Sequence, residues 1–524
     1  MFLLLSKAAK KVVSAILLYS CALSIVQATT EIPIETRSRD LTLQTVLATT
    51  LENNLGIRIS REDEVQQTGN VIQREGEFDF TFRSSFQYQE QSTPLSAANR
   101  ALSPGNAVSD TETGRLSLSG IQPLRNGWQL SNTYTWMRDR SPLSQAATQN
   151  TGQIEFAVKI PLLRGGFNTA SAPLRAAYEQ EKAQYYDFQF QTGREVLKAI
   201  QAYWAYLARY EEYRILSRSY EEKIKLVENV NELIQEDERP RSDIWQAESR
   251  LYERESELLG AEQTLIEASH ALAETMGLSF EDYGKIPLPA DTFPSSESII
   301  AMQQQDLNPD LSVVPSQRAD IKQVRSLMKA REILLSSARN LALPKLDVSL
   351  SVGYNGLREG SEMRAFYGSI NNDLAGPNMG ITIEADWPMR NRSARGQILT
   401  ARSQLKQTKL QAEQLGRSAL SEASLAWRAI EETFARFQIA QQRSDRLKLS
   451  YEGEREKFAL GDSTMIDVLN IEESHLNSLI EVVRSKSRYQ KAIALYYERA
   501  GAIVDFGNDG VASVDLDKLL LLED

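Results

Sequence analysis

The sequence predicts an α+β membrane protein built from two copies of one unit, strands first and long helices after. The first observation behind this is an internal repeat. Val196, Ile200, Tyr203, Leu207 and Tyr210 are spaced four, three, four, three, and Ala423, Trp427, Ile430, Phe434 and Phe437 repeat that spacing 227 positions later. Pro161 in "VKIPLLRGG" and Pro388 in "EADWPMRNR" are also 227 apart, and one offset shared by two separate features marks a tandem duplication. The second observation is the stretch "FDFTFRSSFQYQ", in which Phe78, Phe80, Phe82, Phe86 and Tyr88 fall on one face of an extended strand and only Ser84 interrupts them. The third is helix length. From Ser171 to Glu236 the sole proline is Pro173 and the sole glycine Gly193, and at ~1.5 Å per residue that stretch makes roughly 95 Å of rod.

Taken in order, the chain opens on Lys7, Lys10 and Lys11, then the apolar run "VVSAILLYSCALSIV", then "VQA" ending at Ala28. This is the anatomy of an export signal, residues 1–28, cleaved after Ala28. The leading "MFLLLS" leaves open a start codon further on. Cys21, the only cysteine, lies inside the signal. Cleavage removes it, and the alternative is a lipidated Cys21, against which Tyr19 stands where a lipid-attachment motif wants a small or aliphatic residue. The first repeat covers 40–285, with strands at about 78–160 and long helices at about 171–277. The connector 286–315 is rich in proline, serine and acid, as a surface segment should be. The second repeat covers 316–505, with strands at about 345–388 and long helices at about 393–500, and 506–524 form a C-terminal tail. In the second repeat "LDVSLSVGY" and "MGITIEADW" alternate apolar and polar residues, and "QIEFAVKI" does so in the first. The segments between strands, such as "STPLSAANRALSPGNAVSDTETG", are polar and turn-rich and belong in water.

The net charge of −11 argues against a nucleic-acid surface. Past the first thirty residues no apolar run approaches the ~18 residues of a membrane-spanning helix. Strands can cross instead. A strand of about 12 residues rises ~40 Å, and tilted by ~45° it crosses ~28 Å, close to the ~30 Å hydrocarbon core. The aromatic face of "FDFTFRSSFQYQ" then meets lipid, while Asp79 and Arg83 face an aqueous lumen. A β-sandwich with a dry core explains the same alternation but leaves such long helices without a role. Strands in lipid must close into a barrel so that every backbone group is paired. The chain offers four clear strands, or six if "GRLSLSGIQ" and "GWQLSNTYTWM" are counted. Single-chain barrels need at least ~8, so closure requires several chains.

The motifs "LTLQTVLATTLENNLGI", "IPLLRGG", "RPRSDIWQAESRL", "RADIKQ", "LPKLDVSLSVGY" and "FALGDSTMIDVLNIEESHL", in this order across the duplicated chain, resemble the TolC-like outer-membrane efflux proteins. The resemblance covers nearly the whole mature chain. It implies a homotrimer with a barrel in the outer membrane of a Gram-negative-type bacterium, continued by a helical barrel in the periplasm. It implies docking to a periplasmic adaptor protein and an inner-membrane transporter, and hence an exit duct of a tripartite efflux or type I secretion system. The segment "GRLSLSGIQPLRNGWQLSNTYTWM" departs from the shortest form of the family as an added hairpin, which sets eighteen barrel strands against twelve. The alternative to a duct is a structural coiled-coil protein of the envelope. Drug and protein cargoes remain equally open.

Nothing in the sequence has the pattern of an enzyme, a metal site or a cofactor site. His270 and His475 lie on expected helices without cysteine or paired acids around them, and no glycine-rich phosphate loop with Lys-Ser/Thr occurs. The informative places are two helix reversals marked by Pro240 and Gly461. "ERPRSDIWQAES" and "LGDSTMIDVLNIEES" share an aspartate, an aliphatic residue and a glutamate five after the aspartate: Asp243, Ile244, Glu248 and Asp467, Val468, Glu472. Acids at a helix start complement its dipole, which is one reading. The family resemblance implies another, in which Asp243 and Asp467 line the closed periplasmic mouth. Asn470 stands where some relatives carry a second aspartate, which would make this constriction less acidic.

Overall fold

The computed structural model describes residues 37–97, 108–140, 148–236, 240–295, 311–371, 375–507 and 510–516. The export signal with Cys21, residues 296–310 of the connector and 517–524 of the tail lie outside the described residues. The chain forms two compact units. A sheet unit comprises Arg61–Phe188 and Ala319–Ser418, and a helical unit takes the chain up to Ser60, Gln189–Arg318 and Ala419 onward. Each half of the duplication therefore contributes to both units, and the sequence repeats are not themselves the compact bodies.

The sheet unit holds six strands: β1 (Thr81–Pro94), β2 (Val108–Pro123), β3 (Gln129–Arg140), β4 (Gln149–Pro161), β5 (Lys345–Glu359) and β6 (Ala375–Asp386). They pair antiparallel in chain order, from β1 at one edge to β6 at the other. The β2–β3 hairpin thus lies within the sheet and brings the strand number to six. Its turn closes through Gly127 N–H donating to Leu124 O at 2.8 Å, with Gly127 at φ +89°. A side chain at Gly127 would stand 2.6 Å from Gly165 O, so "QPLRNG" and "PLLRGG" pack at van der Waals distance. Helix α5 (Ala319–Leu341) reaches the same place, where Asn340 accepts from Gly165 N–H at 2.8 Å and donates to Leu163 O at 3.1 Å.

The register sorts residues by face. Phe82–Gly120–Asn132–Phe156–Val352–Met379 form one cross-strand row, and Phe86–Leu116–Trp136–Gly152–Gly356–Ala375 another. Between them run Leu118, Tyr134, Ile154 and Tyr354, and beyond them Val158, Leu350 and Ile381, all on the same face by period-two alternation. Phe82 and Ile381 are 64 % and 74 % exposed in the single chain. The opposite face carries Arg83–Ser119–Thr133–Glu155–Gly353–Asn378 and Ser85–Ser117–Thr135–Gln153–Asn355. The sheet is oily on one side and polar on the other across all six strands.

Phe78 departs from the expected aromatic row. It ends a 3₁₀ turn, Gly76–Phe78, that follows α2 (Leu55–Glu75), and it packs against Val71, Leu174 and Ala177. Phe80 precedes the first ladder residue, Thr81. A helix carried through Glu75 leaves too little chain for the strand to start at residue 78, so the ladder begins three residues later.

The helical unit is built on α1 (Leu43–Asn53), part of α3 (Ala172–Gln235), α4 (Ser242–Met276), part of α7 (Arg392–Ala459) and α8 (Met465–Ala500). The 3-4 spaced apolar residues of α3 become its core. Val196, Ile200, Tyr203 and Leu207 are fully buried with Trp204 and Tyr206, against Leu265 and Leu272 of α4 and Leu43 and Val46 of α1. Tyr203 donates to Asp291 Oδ2 at 2.5 Å, and the same oxygen accepts from Leu43 N–H at 2.8 Å. Burial, reinforced by that carboxylate, pushes the Tyr203 phenol well above its usual range. The duplicate stripe behaves alike: Ile430 and Phe437 pack with Tyr489 and Ile493. Both α4 and α8 end on a left-handed glycine, Gly277 (φ +71°) and Gly501 (φ +77°). In the first case Gly277 and Leu278 return N–H groups to Glu274 and Ala273, satisfying carbonyls the helix end would orphan.

Leu265 has no exposed surface. Leu265→Ala should therefore lower unfolding stability by about 2–5 kcal/mol, and Leu259→Ala, on an exposed position of the same helix, by under about 1 kcal/mol. Thermal or denaturant unfolding of the purified protein measures both.

Candidate channel constriction

Two helix reversals bring the sequence-singled residues to the starts of α4 and α8. The α7–α8 reversal is closed by Gly461, whose φ of +83° only glycine adopts without strain. Gly461 N–H donates to Phe458 O at 3.1 Å and Asp462 N–H to Lys457 O at 2.9 Å, the paired bonds of a Schellman stop. Thr464 then caps α8. Its hydroxyl accepts from Asp467 N–H at 3.3 Å and donates to Asp467 Oδ2 at 2.5 Å. Asp467 is exposed and lies in the first turn, so its carboxylate serves the cap and complements the dipole while facing solvent. Nearby, Ser463 and Lys457 hold the Glu454 carboxyl below its ordinary range by donating to it at 2.5 and 3.2 Å.

At the other reversal, exposed Pro240 accepts through its carbonyl from Asp243 N–H at 3.1 Å. Asp243 lies in the first turn of α4, half-buried, and accepts from the Ser242 hydroxyl at 3.3 Å. Both aspartates lie in the first turn, Asp243 as the second residue of α4 and Asp467 as the third of α8, each bonded within its own helix start. Asn470 is exposed and accepts from Arg250 of α4 at 3.4 Å, so it bridges α8 to α4. Beneath these tips Met465 and Leu469 pack with Ala247, Ile244 and Val230, an apolar plug joining α3, α4 and α8.

Sequence reasoning missed the ion pairs that staple these helices. Lys223 of α3, only 5 % exposed, donates to Glu472 of α8 at 2.5 Å. Arg254 of α4, also buried, pairs with Glu473 of α8 and with Glu257 one turn on. Glu212 accepts from Arg209 at 2.7 Å and from Arg484 of α8 at 2.8 Å. Removing one partner of such a buried pair strands the other, at a cost of about 3–5 kcal/mol. The signal was present: Lys223 falls in the row Leu216, Tyr220, Lys223, Val227, Val230, and Arg254 in the row Leu251, Arg254, Leu258, Ala261, Leu265, each spaced four and three. A charge inside a core stripe needs a buried partner.

Among the described residues no group of three or more His, Cys, Asp or Glu is placed to hold a metal, and no helix is long and apolar enough to cross a membrane. His475 lies on α8 against the ring of Tyr451, 6.0 Å between centroids, and burial lowers its pKa. His270 lies on α4 against Tyr283 at 5.6 Å.

Comparison with family models and with curated protein sequences returns no match. Comparison with solved structures does. The CmeC outer membrane channel of Campylobacter jejuni is 16 % identical, with 88 % of this chain and 85 % of that one covered and a TM-score of 0.64. The outer membrane protein VceC of Vibrio cholerae is 17 % identical over 88 % and 96 % of the two chains, with a TM-score of 0.62. The open state of the MtrE outer membrane channel of Neisseria gonorrhoeae is 15 % identical over 88 % of each, again at 0.62. Matching sheet and helices over nearly the full length of each chain, the protein has the fold of these outer-membrane channels, as its TolC-like motifs lead one to expect.

Proposed function

We propose that the protein is a passive exit duct through the outer membrane, formed by three copies and continued into the periplasm by its long helices. The observation that carries this reading is the sheet itself, apolar on one face, polar on the other and open at both edges. An open edge in hydrocarbon leaves backbone groups unpaired, so β1 of one chain must meet β6 of the next. Six strands in each of three chains make an eighteen-stranded barrel, wide enough for an aqueous channel. Phe80, Phe82, Phe86 and Tyr88 face lipid in this arrangement, and Arg83, Glu155 and Gln153 line the lumen. A duct without an energy source takes its drive from partners, an inner-membrane transporter reached through a periplasmic adaptor, in an efflux or type I secretion assembly.

We assign the constriction to the two helix reversals, with Asp243 and Asp467 as its acids. Three copies of the exposed Asp467 around one axis concentrate negative charge and attract cations. Asn470, neutral and tied to Arg250, adds no charge of its own.

Mass measurement of the protein extracted in mild detergent should give a single trimer, and a conducting monomer or any other stoichiometry overturns the assembly. Phe82→Arg should cost ~2–4 kcal/mol, the scale of a charge near the bilayer midplane, and Phe86→Arg, closer to the margin of the oily face, somewhat less. They should reduce outer-membrane assembly, while Ser85→Arg on the opposite face leaves assembly intact. Equal tolerance of all three rejects the lipid-facing assignment. In single-channel recordings Asp467→Ala should weaken cation preference and block by trivalent cations, with Asp243→Ala doing so to a similar or smaller extent. Thr464→Ala removes the cap but keeps the charge. It should cost about 0.5–2 kcal/mol of stability with ion preference unchanged. If Asp467→Ala also leaves selectivity and block unchanged, the aspartate is a helix-start residue only. Absence of any conductance favours a structural coiled-coil protein.

A further inference from the structure

The oily face of the sheet changes character at the end of the strands where β5 turns into β6. Continuing the cross-strand rows past Phe86 and Leu116, the next positions on that face are Tyr88, Gly114, Arg138, Asn150 and Arg358, followed by Glu90, Glu112 and Arg140. Arg138, Arg140 and Arg358 stand here among Glu90, Glu112 and, one row on, Asp110, a charged margin where the rows below are hydrocarbon. The β5–β6 connection folds back onto the same face through a short helix, α6 (Met363–Tyr367), and a 3₁₀ turn, Gly368–Asn371. Two paired glycines make room for it. A side chain at Gly152 would collide with Ile370, and one at Gly356 with the carbonyl oxygen of Ser369. Tyr367 meets Trp136 edge-on at 6.4 Å.

Between this folded connection and β1–β3 a cavity of about 430 Å³ remains. It is lined by Phe86, Tyr88, Met363 and Phe366, by Gly114, and by Arg138 and Arg140 beside the Glu112 carboxylate. Arg138 is held firmly. Its Nε donates to Asn150 at 2.8 Å, its Nη2 to Glu362 O at 2.9 Å, and its guanidinium lies 5.2 Å from the Phe366 centroid. Arg140 is 66 % exposed, with Glu112 at 3.7 Å as its acidic neighbour. Above Gly114 there is open space where a side chain would stand.

We infer that this cavity binds the anionic, phosphate-bearing headgroup of a membrane lipid, with Arg138 and Arg140 on the phosphate and the acyl chains lying along the oily face. The chemistry has two parts that no soluble anion satisfies together. Guanidinium groups match phosphate oxygens in paired hydrogen bonds. The aromatic and methionine side chains adjoin the face where Leu116 and Phe82 would meet hydrocarbon, so a bound headgroup carries its tails into an apolar track. Fixed basic residues at the rim of a membrane-embedded surface select anionic lipids in this way. The inference rests on the placement of this face in lipid proposed above.

The test uses the full chain in detergent micelles. Native mass spectrometry counts retained phosphatidylglycerol against phosphatidylcholine, and insertion into vesicles is measured in parallel. Wild type should retain phosphatidylglycerol about tenfold more strongly, the scale expected of two arginines near a charged headgroup. R138Q/R140Q should lose that preference. Gly114→Phe, which fills the cavity and keeps both charges, should lose retention of both lipids, while Arg83→Gln on the opposite face changes nothing. Equal retention of the two lipids by wild type, or unchanged retention in both R138Q/R140Q and Gly114→Phe, overturns the inference. So does displacement of phosphatidylglycerol by inorganic phosphate at equal concentration, which would make this a free-anion site. Normal vesicle insertion with no lipid preference sinks this site alone; failure to insert sinks the duct reading with it.

Discussion

In the proposed duct, backbone hydrogen bonding in a medium without water is the constraint on which the rest of the molecule depends. A sheet whose one face is Phe82, Phe86, Leu118, Trp136, Ile154, Val352 and Ile381 repels water from that side. A sheet that still ends on two edge strands has backbone groups left to pair. In the proposed duct the sheets join edge to edge to meet both conditions, and the hairpin of β2 and β3 would then set the circumference, since each added pair of strands widens a ring. The glycines of the sheet follow the same economy of space: Gly152 and Gly356 lie flat because the β5–β6 connection rests on them.

The helices obey a different rule. Their core is aromatic and aliphatic around Trp204 and Leu265, where burial of apolar surface supplies the main stabilisation. Towards the reversals the apolar layers thin to small clusters such as Val230, Ala247, Met465 and Leu469, and ion pairs take over part of the contact between helices. Lys223–Glu472 and Arg254–Glu473 both run to α8, so the helix that starts with Asp467 is tied to α3 and to α4 by charge as well as by packing. Such pairs contribute little net stability over an apolar contact but penalise any register in which a charge loses its partner. They fix how α8 is seated, and with it where its first turn presents an acid.

Much of this was legible in the sequence because the signals are periodic. Alternation of two identified the strand faces, a 3-4 spacing identified the stripes that became the helical core, and a common offset of 227 residues identified the duplication. Turn chemistry was equally local: Gly461 stands at a reversal whose positive φ favours glycine, and Pro240 precedes α4 where its carbonyl accepts from Asp243 N–H. The tertiary structure decided the rest. It moved Phe78 from the strand to a 3₁₀ turn, because Val71, Leu174 and Ala177 offered it a buried place. It placed the β2–β3 hairpin inside the sheet, and divided the chain into units that cut across both repeats. It also gave the buried charges at Lys223 and Arg254 their partners, about 220 to 250 residues away in sequence. Periodicity is a property of neighbouring residues and survives in the sequence alone. Strand order, the partner of a buried charge and much of the surface that claims an aromatic ring are set by residues about 100 to 250 positions apart, and only folding brings those together.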